Sequence, residues 1–229
     1  MYLDNLINRA QKSIFSYQDA VDYLHNRGLT NEDILKYCIG YLNFAHIKND
    51  GSLDYKNLKE KTWDFKGLQK RIIFPLKNTL GRVNGVVIRD IYKKLYIQVL
   101  FEEAKRIGAF FGLYEALPFI LKTKKVFIHE GAIDCMSFSK VFPNSASTLT
   151  SFINEAQYQM LRFFADKIIL VFDNDGPGKH GVRKSLEAYG DRYIHAIDIG
   201  YGDSNECLKR LGPQRFEKYI KSKVPFLLK

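Results

Sequence analysis

The amino-acid sequence predicts an α/β protein, in which a basic α+β segment precedes a βαβ-type domain with a mainly parallel central sheet. Two apolar runs, at residues 126–128 and 168–172, are each followed by a polar, helix-like stretch, which is typical of buried parallel strands that lead into helices. Upstream, residues 71–76 and 81–89 have the pattern of a hairpin. The boundaries that we predict for the basic subdomain, the βαβ-type domain and a helical tail are 1–119, 120–212 and 213–229.

Short helices are predicted for the first forty residues. The sequence from Ser16 to Asp19 resembles a capping box, which would open a helix that runs through Leu24. Thr30 is placed to cap the next helix, and Gly40 is placed to close it. From residue 41 to 64 the periodicity weakens and turn residues appear, which suggests a surface excursion.

Basic and aromatic residues are concentrated in and around the predicted hairpin. They are Lys66, Lys70, Arg71, Lys77, Arg82, Arg89, Lys93, Lys94, Lys105 and Arg106, together with Tyr92, Tyr96, Phe110 and Phe111. A basic sheet that carries aromatic side chains favours binding of a single-stranded nucleic acid. The alternative is that the aromatic residues belong to the core and the basic residues serve only solubility.

Acidic residues follow both apolar runs of the predicted βαβ-type domain. Glu130 and Asp134 come after the first run, and Asp173 and Asp175 come after the second. A parallel sheet gathers ligand sites beyond the carboxyl ends of its strands, so we expect these carboxylates to converge. Because converging carboxylates repel one another, and because hard oxygen ligands suit Mg²⁺ or Mn²⁺, the pattern predicts a divalent-metal site for phosphate chemistry.

The composition of the whole chain narrows the class of protein. Lys and Arg number 35 against 25 Asp and Glu in 229 residues, and the formal charge of +10 favours a polyanionic partner. The cysteines Cys38, Cys135 and Cys207 are scattered without a C-x-x-C pair, which argues against a disulfide framework or a zinc ribbon and favours core positions. No apolar run approaches the roughly twenty residues of a membrane span, and no secretion signal begins the chain, so we expect no membrane and a cytoplasmic location.

The acidic motifs carry a family resemblance. A Glu behind one strand and D-x-D behind a later strand resemble the TOPRIM domain that bacterial-type primases, type IA and II topoisomerases and some nucleases share. Other segments, in the same chain order from about residue 16 to 210, are similar to the DnaG-type primases of bacteria and phages. Residues 173–183 resemble the family motif D-G-D-x-A-G-x-x-A-x-R, and residues 149–157 resemble L-G-T-A-L-T-x-x-Q. Residues 73–89 resemble F-P-I…G-R-x-x-G-F-G-G-R, and residues 110–116 resemble L-Y-G-L-x-x-A.

The resemblance implies a set of functional residues. It implies that Glu130, Asp173 and Asp175 are catalytic. It also implies that these three residues, together with Asp134 and Asp203, bind Mg²⁺ or Mn²⁺, and that no zinc is bound. Contacts to nucleic acid or nucleoside triphosphates are expected at Lys77, Arg82, Arg89, Lys105, Gly178, Lys179 and Arg183. Asn205 stands where the family tends to have the second carboxylate of D-P-D, so one metal site should be weaker or differently filled.

The function implied is synthesis of RNA primers on single-stranded DNA from nucleoside triphosphates. The zinc ribbon and helicase-binding parts of the family are not found in the sequence, so a separate zinc-ribbon protein and a replicative helicase are possible partners. Two alternatives stay open: a TOPRIM-type nuclease, and a non-catalytic replication accessory protein derived from a primase. A topoisomerase is disfavoured because the chain lacks the domains of a strand-passage gate.

Overall fold

The computed structural model describes residues 2–42, 71–92, 96–100, 102–190, 192–200 and 202–224, so the predicted surface excursion falls from residue 43 onward outside the described residues. The chain divides into two compact units. The first comprises Met1–Pro75 and Gly85–Val99, and the second comprises Leu76–Asn84 and Leu100–Lys229. The predicted boundary after residue 119 remains a prediction.

The first unit begins with helices. These are α1 Tyr2–Ser13, a 3-10 turn Ile14–Ser16, α2 Gln18–Asn26 and α3 Asn31–Lys36. The cap at Thr30 is confirmed, because its hydroxyl accepts from the Asp33 N–H and the Asp33 carboxylate accepts in return. The capping box predicted at Ser16 is wrong: Ser16 lies in the 3-10 turn, and Tyr17 occupies the N-cap of α2 without a side-chain cap bond.

A four-stranded sheet follows, in the order β1-β2-β3-β4. Its strands are β1 Gly40–Leu42, β2 Arg71–Lys77, β3 Val83–Asp90 and β4 Tyr96–Leu100. The predicted hairpin is β2 and β3, and β1 pairs antiparallel with β2. Gly40 therefore begins a strand and does not close α3. Its role is close packing, since a Cβ there would lie 2.7 Å from the Cβ of Ala10 in α1.

The second unit alternates helices with the strands of a parallel sheet. Its helices are α4 Glu102–Ile107, α5 Leu113–Thr123, α6 Ala132–Ser139, α7 Glu155–Phe164, α8 Gly176–Tyr189, α9 Ser204–Leu211 and α10 Pro213–Lys223. Its strands are β5 Lys125–His129, β6 Ser145–Ser147, β7 Lys167–Leu170 and β8 Ile194–Ala196. The order is β6-β5-β7-β8 and every pairing is parallel, as predicted. β7 is shorter than its apolar run, and β6 was not predicted.

Both faces of the parallel sheet are covered, which explains why its strands read as continuous apolar runs. Val126 and Ile128 of β5 pack into one core with residues of α5 and α7. Phe127, between them, points to the other face and packs with Phe138 and Phe216. Successive strand residues face opposite sides, so one short run fills two cores. The fold thus fixes where each strand ends and where the following loop begins.

Two of the cysteines occupy the core positions expected for them. Cys135 and Cys207 are buried, and Cys38 is half-buried. None of the helices in the described ranges carries an apolar stretch long enough to cross a bilayer.

Candidate functional site

Glu130 lies at the exit of β5 and reaches the loop that follows β7. Its Oε1 accepts a hydrogen bond of 3.1 Å from the backbone N–H of Asp173. Its own carbonyl oxygen accepts from the Ser147 hydroxyl at 2.9 Å, at the end of the neighbouring strand β6. Three adjacent strands therefore fix the position of Glu130, as expected for ligand sites at the carboxyl edge of a parallel sheet.

The electrostatic environment of Glu130 is unfavourable to its own charge. Burial raises the pKa of the Glu130 carboxyl to about 7, with a further upward contribution from the negative charges of Asp173 and Asp175. The N–H of Asp173 opposes this rise by stabilising the carboxylate. The structure thus brings Asp173 and Asp175 close enough for each to repel the negative charge of Glu130.

Asp175 opens helix α8 directly beside Glu130. Its Oδ1 accepts from the Gly178 N–H at 2.8 Å, so the side chain is the helix N-cap. Gly178 has no room for a side chain, because a Cβ would lie 2.1 Å from the Asp173 carbonyl oxygen and 2.6 Å from Glu130 Oε1. The glycine therefore allows the first turn of α8 to pack against the acidic loop.

The other two predicted carboxylates lie around the start of helix α9. Asp203 is the N-cap of α9 and accepts from the Glu206 N–H at 2.7 Å. Asp134, in the first turn of α6, is buried and accepts at Oδ1 from the backbone N–H of Asn205 at 3.2 Å. A backbone hydrogen bond of 3.0 Å from Asn174 to Gly202 joins this region to the D-x-D loop. The predicted acidic residues thus stand on connected loops and helix starts at one edge of the sheet.

The donor set of this edge fits a hard divalent cation. Among the residues that the structure describes, no group of three or more His, Cys, Asp or Glu side chains forms a ready-made cation site. Nevertheless, carboxylate oxygens are the ligands that Mg²⁺ and Mn²⁺ prefer, and a cation would offset both the burial and the repulsion from Asp173 and Asp175 that raise the pKa of Glu130. Glu130, Asp173 and Asp175 are the residues best placed to hold such an ion.

The predicted basic contacts have different environments. Lys77, near the tip of the β2–β3 hairpin, forms a largely buried ion pair of 2.7 Å with Glu115 and lies 5.7 Å from the centre of the Tyr114 ring. In the first unit, the Arg89 guanidinium lies 5.4 Å and 4.3 Å from the rings of Tyr23 and Tyr96. The side chains that are exposed are those of Arg82, Lys105, Lys179 and Arg183.

The predicted aromatic track is partly wrong. Phe110 and Phe111 are 2% and 1% exposed and belong to the core, because they precede α5 on the inner side of the second unit. Tyr92 and Tyr96 are 67% and 46% exposed, as a stacking surface requires. Lys66, Lys70, Lys93 and Lys94 lie outside the described residues.

Comparison with known proteins shows which proteins this chain resembles. Residues 127–208 match the family model described as Toprim-like. A "DNA primase" of Aquifex aeolicus is 25% identical over 243 residues, and the match covers 96% of this chain. A solved structure of the Aquifex aeolicus primase, with its zinc-binding and RNA polymerase domains, superposes with a TM-score of 0.81 at 24% identity, over 96% of this chain and 60% of that one. The chain has the core fold of a DnaG-type primase.

Other relatives agree with this assignment. A "DNA primase" of Lactococcus lactis is 26% identical over 217 residues, which cover 83% of this primase-like core. A DnaG primase catalytic domain solved with bound single-stranded DNA superposes with a TM-score of 0.78 at 20% identity, over 96% of this chain and 79% of that one. The core spans 48% of the Aquifex relative and 33% of the Lactococcus relative. The resemblance to DnaG-type primases and the predicted fold class are confirmed.

Several contacts that shape the site of this primase-like core were not predicted from the sequence. Ser147 fixes the backbone of Glu130, and Asn205 binds Asp134 and Ser137. His129 is the last residue of β5 and directly precedes Glu130. It is fully buried, and burial lowers its pKa to about 3, so the ring is neutral at physiological pH. Its Nδ1 lies 3.3 Å from the Ser204 hydroxyl, which gives it a structural role.

Proposed function

We propose that this protein is a DNA primase, which synthesises short RNA primers on single-stranded DNA from nucleoside triphosphates by divalent-metal-dependent nucleotidyl transfer. The observation that carries the proposal is the contact between Glu130 and the Asp173 backbone, which joins two acidic loops within the Toprim-like domain. The aligned relatives named as DNA primases support the same activity. A nuclease or a non-catalytic accessory protein is not favoured by these relatives.

The acidic edge would hold the metal. Glu130, Asp173 and Asp175 are proposed as its first ligands and as catalytic residues, with Asp134 and Asp203 nearby. When bound, Mg²⁺ or Mn²⁺ would offset the charge of the triphosphate and stabilise the leaving pyrophosphate. The protein itself orients the carboxylates: the Asp173 N–H holds Glu130, and the Gly178 N–H holds Asp175.

The remaining assigned residues would bind polyanions. The closely packed Gly178 lets the start of α8 stay near the acidic loop, and the exposed side chains of Lys179 and Arg183 are proposed to contact phosphates. Arg82 and Lys105 are proposed to contact the template by charge attraction. Arg89, which lies beside the exposed ring of Tyr96, is also proposed to contact the template. Lys77 is paired with Glu115, which favours a positioning role for Lys77.

The partners that we propose are a single-stranded DNA template, nucleoside triphosphates and the growing RNA primer. A solved DnaG catalytic domain with bound single-stranded DNA supports the template. A replicative helicase and a separate zinc-ribbon protein are proposed as further partners, and the bacterial or phage-infected cytoplasm as the location.

The test is a primer-synthesis assay with purified protein, single-stranded DNA of mixed sequence, labelled ribonucleotides and Mg²⁺ or Mn²⁺. Asp175→Asn is the most informative variant, because asparagine keeps the helix cap while the charge is lost. We expect Asp175→Asn to fall at least about 100-fold in rate, as is usual when a group that stabilises transition-state charge is removed. The matched control is Glu187→Gln, an exposed change on the same helix, which should retain wild-type activity.

The outcomes separate the candidate functions. Short labelled products that require template and divalent metal support the primase. Shortening of a labelled strand without added nucleotides would indicate the nuclease. Template binding with neither reaction, when the zinc-ribbon and helicase proteins are also supplied, would indicate the accessory protein. Asp175→Asn with wild-type activity would refute the site assignment.

A further inference from the structure

The start of helix α9 is fastened to its neighbours by buried polar contacts, which we call the α9 clasp. The backbone N–H of Asn205 donates to Asp134 Oδ1 at 3.2 Å, and its side-chain Nδ2 donates to Ser137 Oγ at 2.6 Å. The Ser204 hydroxyl lies 3.3 Å from His129 Nδ1. The clasp therefore joins α9 to both α6 and the end of β5.

The clasp pairs one carboxylate, that of Asp134, with the uncharged amide residue Asn205. Asn205 is 4% exposed and Asp134 is 8% exposed, so both side chains are largely removed from water. An aspartate at position 205 would bring a second negative charge beside Asp134, where little solvent screens their repulsion. It would not break the connection to Ser137, because a serine hydroxyl can either donate or accept. The amide therefore matters for its lack of charge more than for its hydrogen bond.

The clasp also determines where Asp203 stands. Asp203 directly precedes the clasp as the N-cap of α9. On its other side, the Gly202 carbonyl accepts from the Asn174 N–H at 3.0 Å, within the D-x-D loop. The backbone that carries Asp203 is thus held at both ends, by α6 on one side and by the D-x-D loop on the other.

We propose that Asn205 is a positioning residue whose uncharged amide keeps the Asp203 loop in place when no cation is bound. An aspartate at this position would make the same loop depend on a divalent cation for its stability. The inference rests on the proposed function in one respect, namely that a divalent cation binds at this acidic edge. Its tests use folding and cation response, which require neither template nor nucleotides.

The experiment compares thermal unfolding of Asn205→Asp, Asn205→Ala and the double variant Asp134→Asn/Asn205→Asp, in EDTA and in millimolar Mg²⁺. Asn205→Asp should lower Tm in EDTA by about 5 °C or more, and Mg²⁺ should restore most of the loss. Asn205→Ala should lower Tm in EDTA without a larger Mg²⁺ response than the wild type. The double variant again has one carboxylate and one amide, so it should regain at least about half of the loss in EDTA.

The charge effect is what distinguishes this role from simple packing. If Asn205→Asp does not fold in EDTA, the folding of the double variant under the same conditions still supports the proposal. The proposal is overturned if Asn205→Asp unfolds in EDTA at the wild-type temperature, or if neither Mg²⁺ nor Asp134→Asn restores its stability. Primer synthesis can fail while these results hold, and can succeed while they do not, so the two proposals are tested separately.

Discussion

Replacing Glu130 by Gln should make the metal-free protein more stable at neutral and alkaline pH, although it removes a residue proposed for catalysis. The substitution keeps an oxygen that can accept from the Asp173 N–H, and it removes the charge that burial and the neighbouring aspartates oppose. The prediction isolates the electrostatic cost of assembling the acidic edge, because shape and hydrogen bonding change little.

The size of the effect follows from the pKa of Glu130, which burial and the charges of Asp173 and Asp175 raise from 4.5 to about 7. At about 1.36 kcal/mol per pH unit this corresponds to about 3.4 kcal/mol, and because the side chain is only half-buried, solvent screening reduces the expected gain to about 1–2 kcal/mol. Between the two pKa values the Glu130 side chain binds more protons in the folded protein than in the unfolded chain, so its contribution to wild-type stability falls as pH rises. The advantage of Glu130→Gln should therefore be absent below 4.5 and complete above about 7.

The assay is urea unfolding in EDTA from about pH 4 to about pH 8, for the wild type, Glu130→Gln and the exposed control Glu187→Gln. The control should follow the wild type at every pH. Saturating Mg²⁺ should stabilise the wild type and reduce or reverse the advantage of Glu130→Gln. The reasoning fails if Glu130→Gln is no more stable than the wild type at alkaline pH in EDTA, or if its difference from the wild type does not vary with pH.

Three other predictions concern the packing around the site. Burial lowers the pKa of His129 from 6.5 to about 3, so below 6.5 the unfolded chain binds a proton at His129 that the folded protein excludes. The contribution of His129 to stability should therefore fall by up to about 1.4 kcal/mol per pH unit as pH drops below 6.5, and His129→Gln should remove this contribution to the pH dependence measured by urea unfolding. Gly178→Ala should lower the free energy of unfolding in urea by about 2–3 kcal/mol and impair primer synthesis, because the new Cβ would lie 2.1 Å from a backbone oxygen. The control is Gly176→Ala, whose Cβ would have no atom within 4 Å, and it should change neither stability nor primer synthesis. Lys77→Met should lower the free energy of unfolding by about 2–4 kcal/mol, because Glu115 would stay buried without this partner. Adding Glu115→Leu should recover part of the lost stability. Equal stability of the single variant and the wild type would contradict this prediction.

The fold could be predicted from the sequence where a short run of apolar residues indicates a buried strand. The runs that became β5 and β7 are apolar on both faces, and the structure covers both faces of their sheet. β6, Ser145–Ser147, escaped prediction because its residues are small and two are polar, so it has neither the apolar run nor the alternation of a strand. β7 ends at Leu170 although the apolar run continues to Phe172. The Val171 N–H still donates to the Ile128 carbonyl of β5 at 2.8 Å, and the side chains of Val171 and Phe172 are buried, so burial extends the apolar run beyond the strand itself.

The site could be predicted less completely, because its contacts are not local in the chain. The acidic residues stand immediately after their strands, and the chain order alone indicated that Glu130 and Asp173 would meet at one edge. The contact between Asp134 and Asn205 joins residues 71 positions apart, and the pair of Lys77 and Glu115 joins residues 38 positions apart. No spacing rule connects such residues, so their roles became visible only in the folded protein.

The path of the chain between its two units affects how the protein can be divided into fragments. Residues Leu76–Asn84 pack with the second unit although first-unit residues precede and follow them. A fragment that starts at Leu100 would therefore omit Lys77, the ion-pair partner of the Glu115 carboxylate, together with the hairpin residues that pack with the second unit. A C-terminal fragment that folds by itself should therefore include residues 76–84, joined to the segment from Leu100 onward by a designed linker.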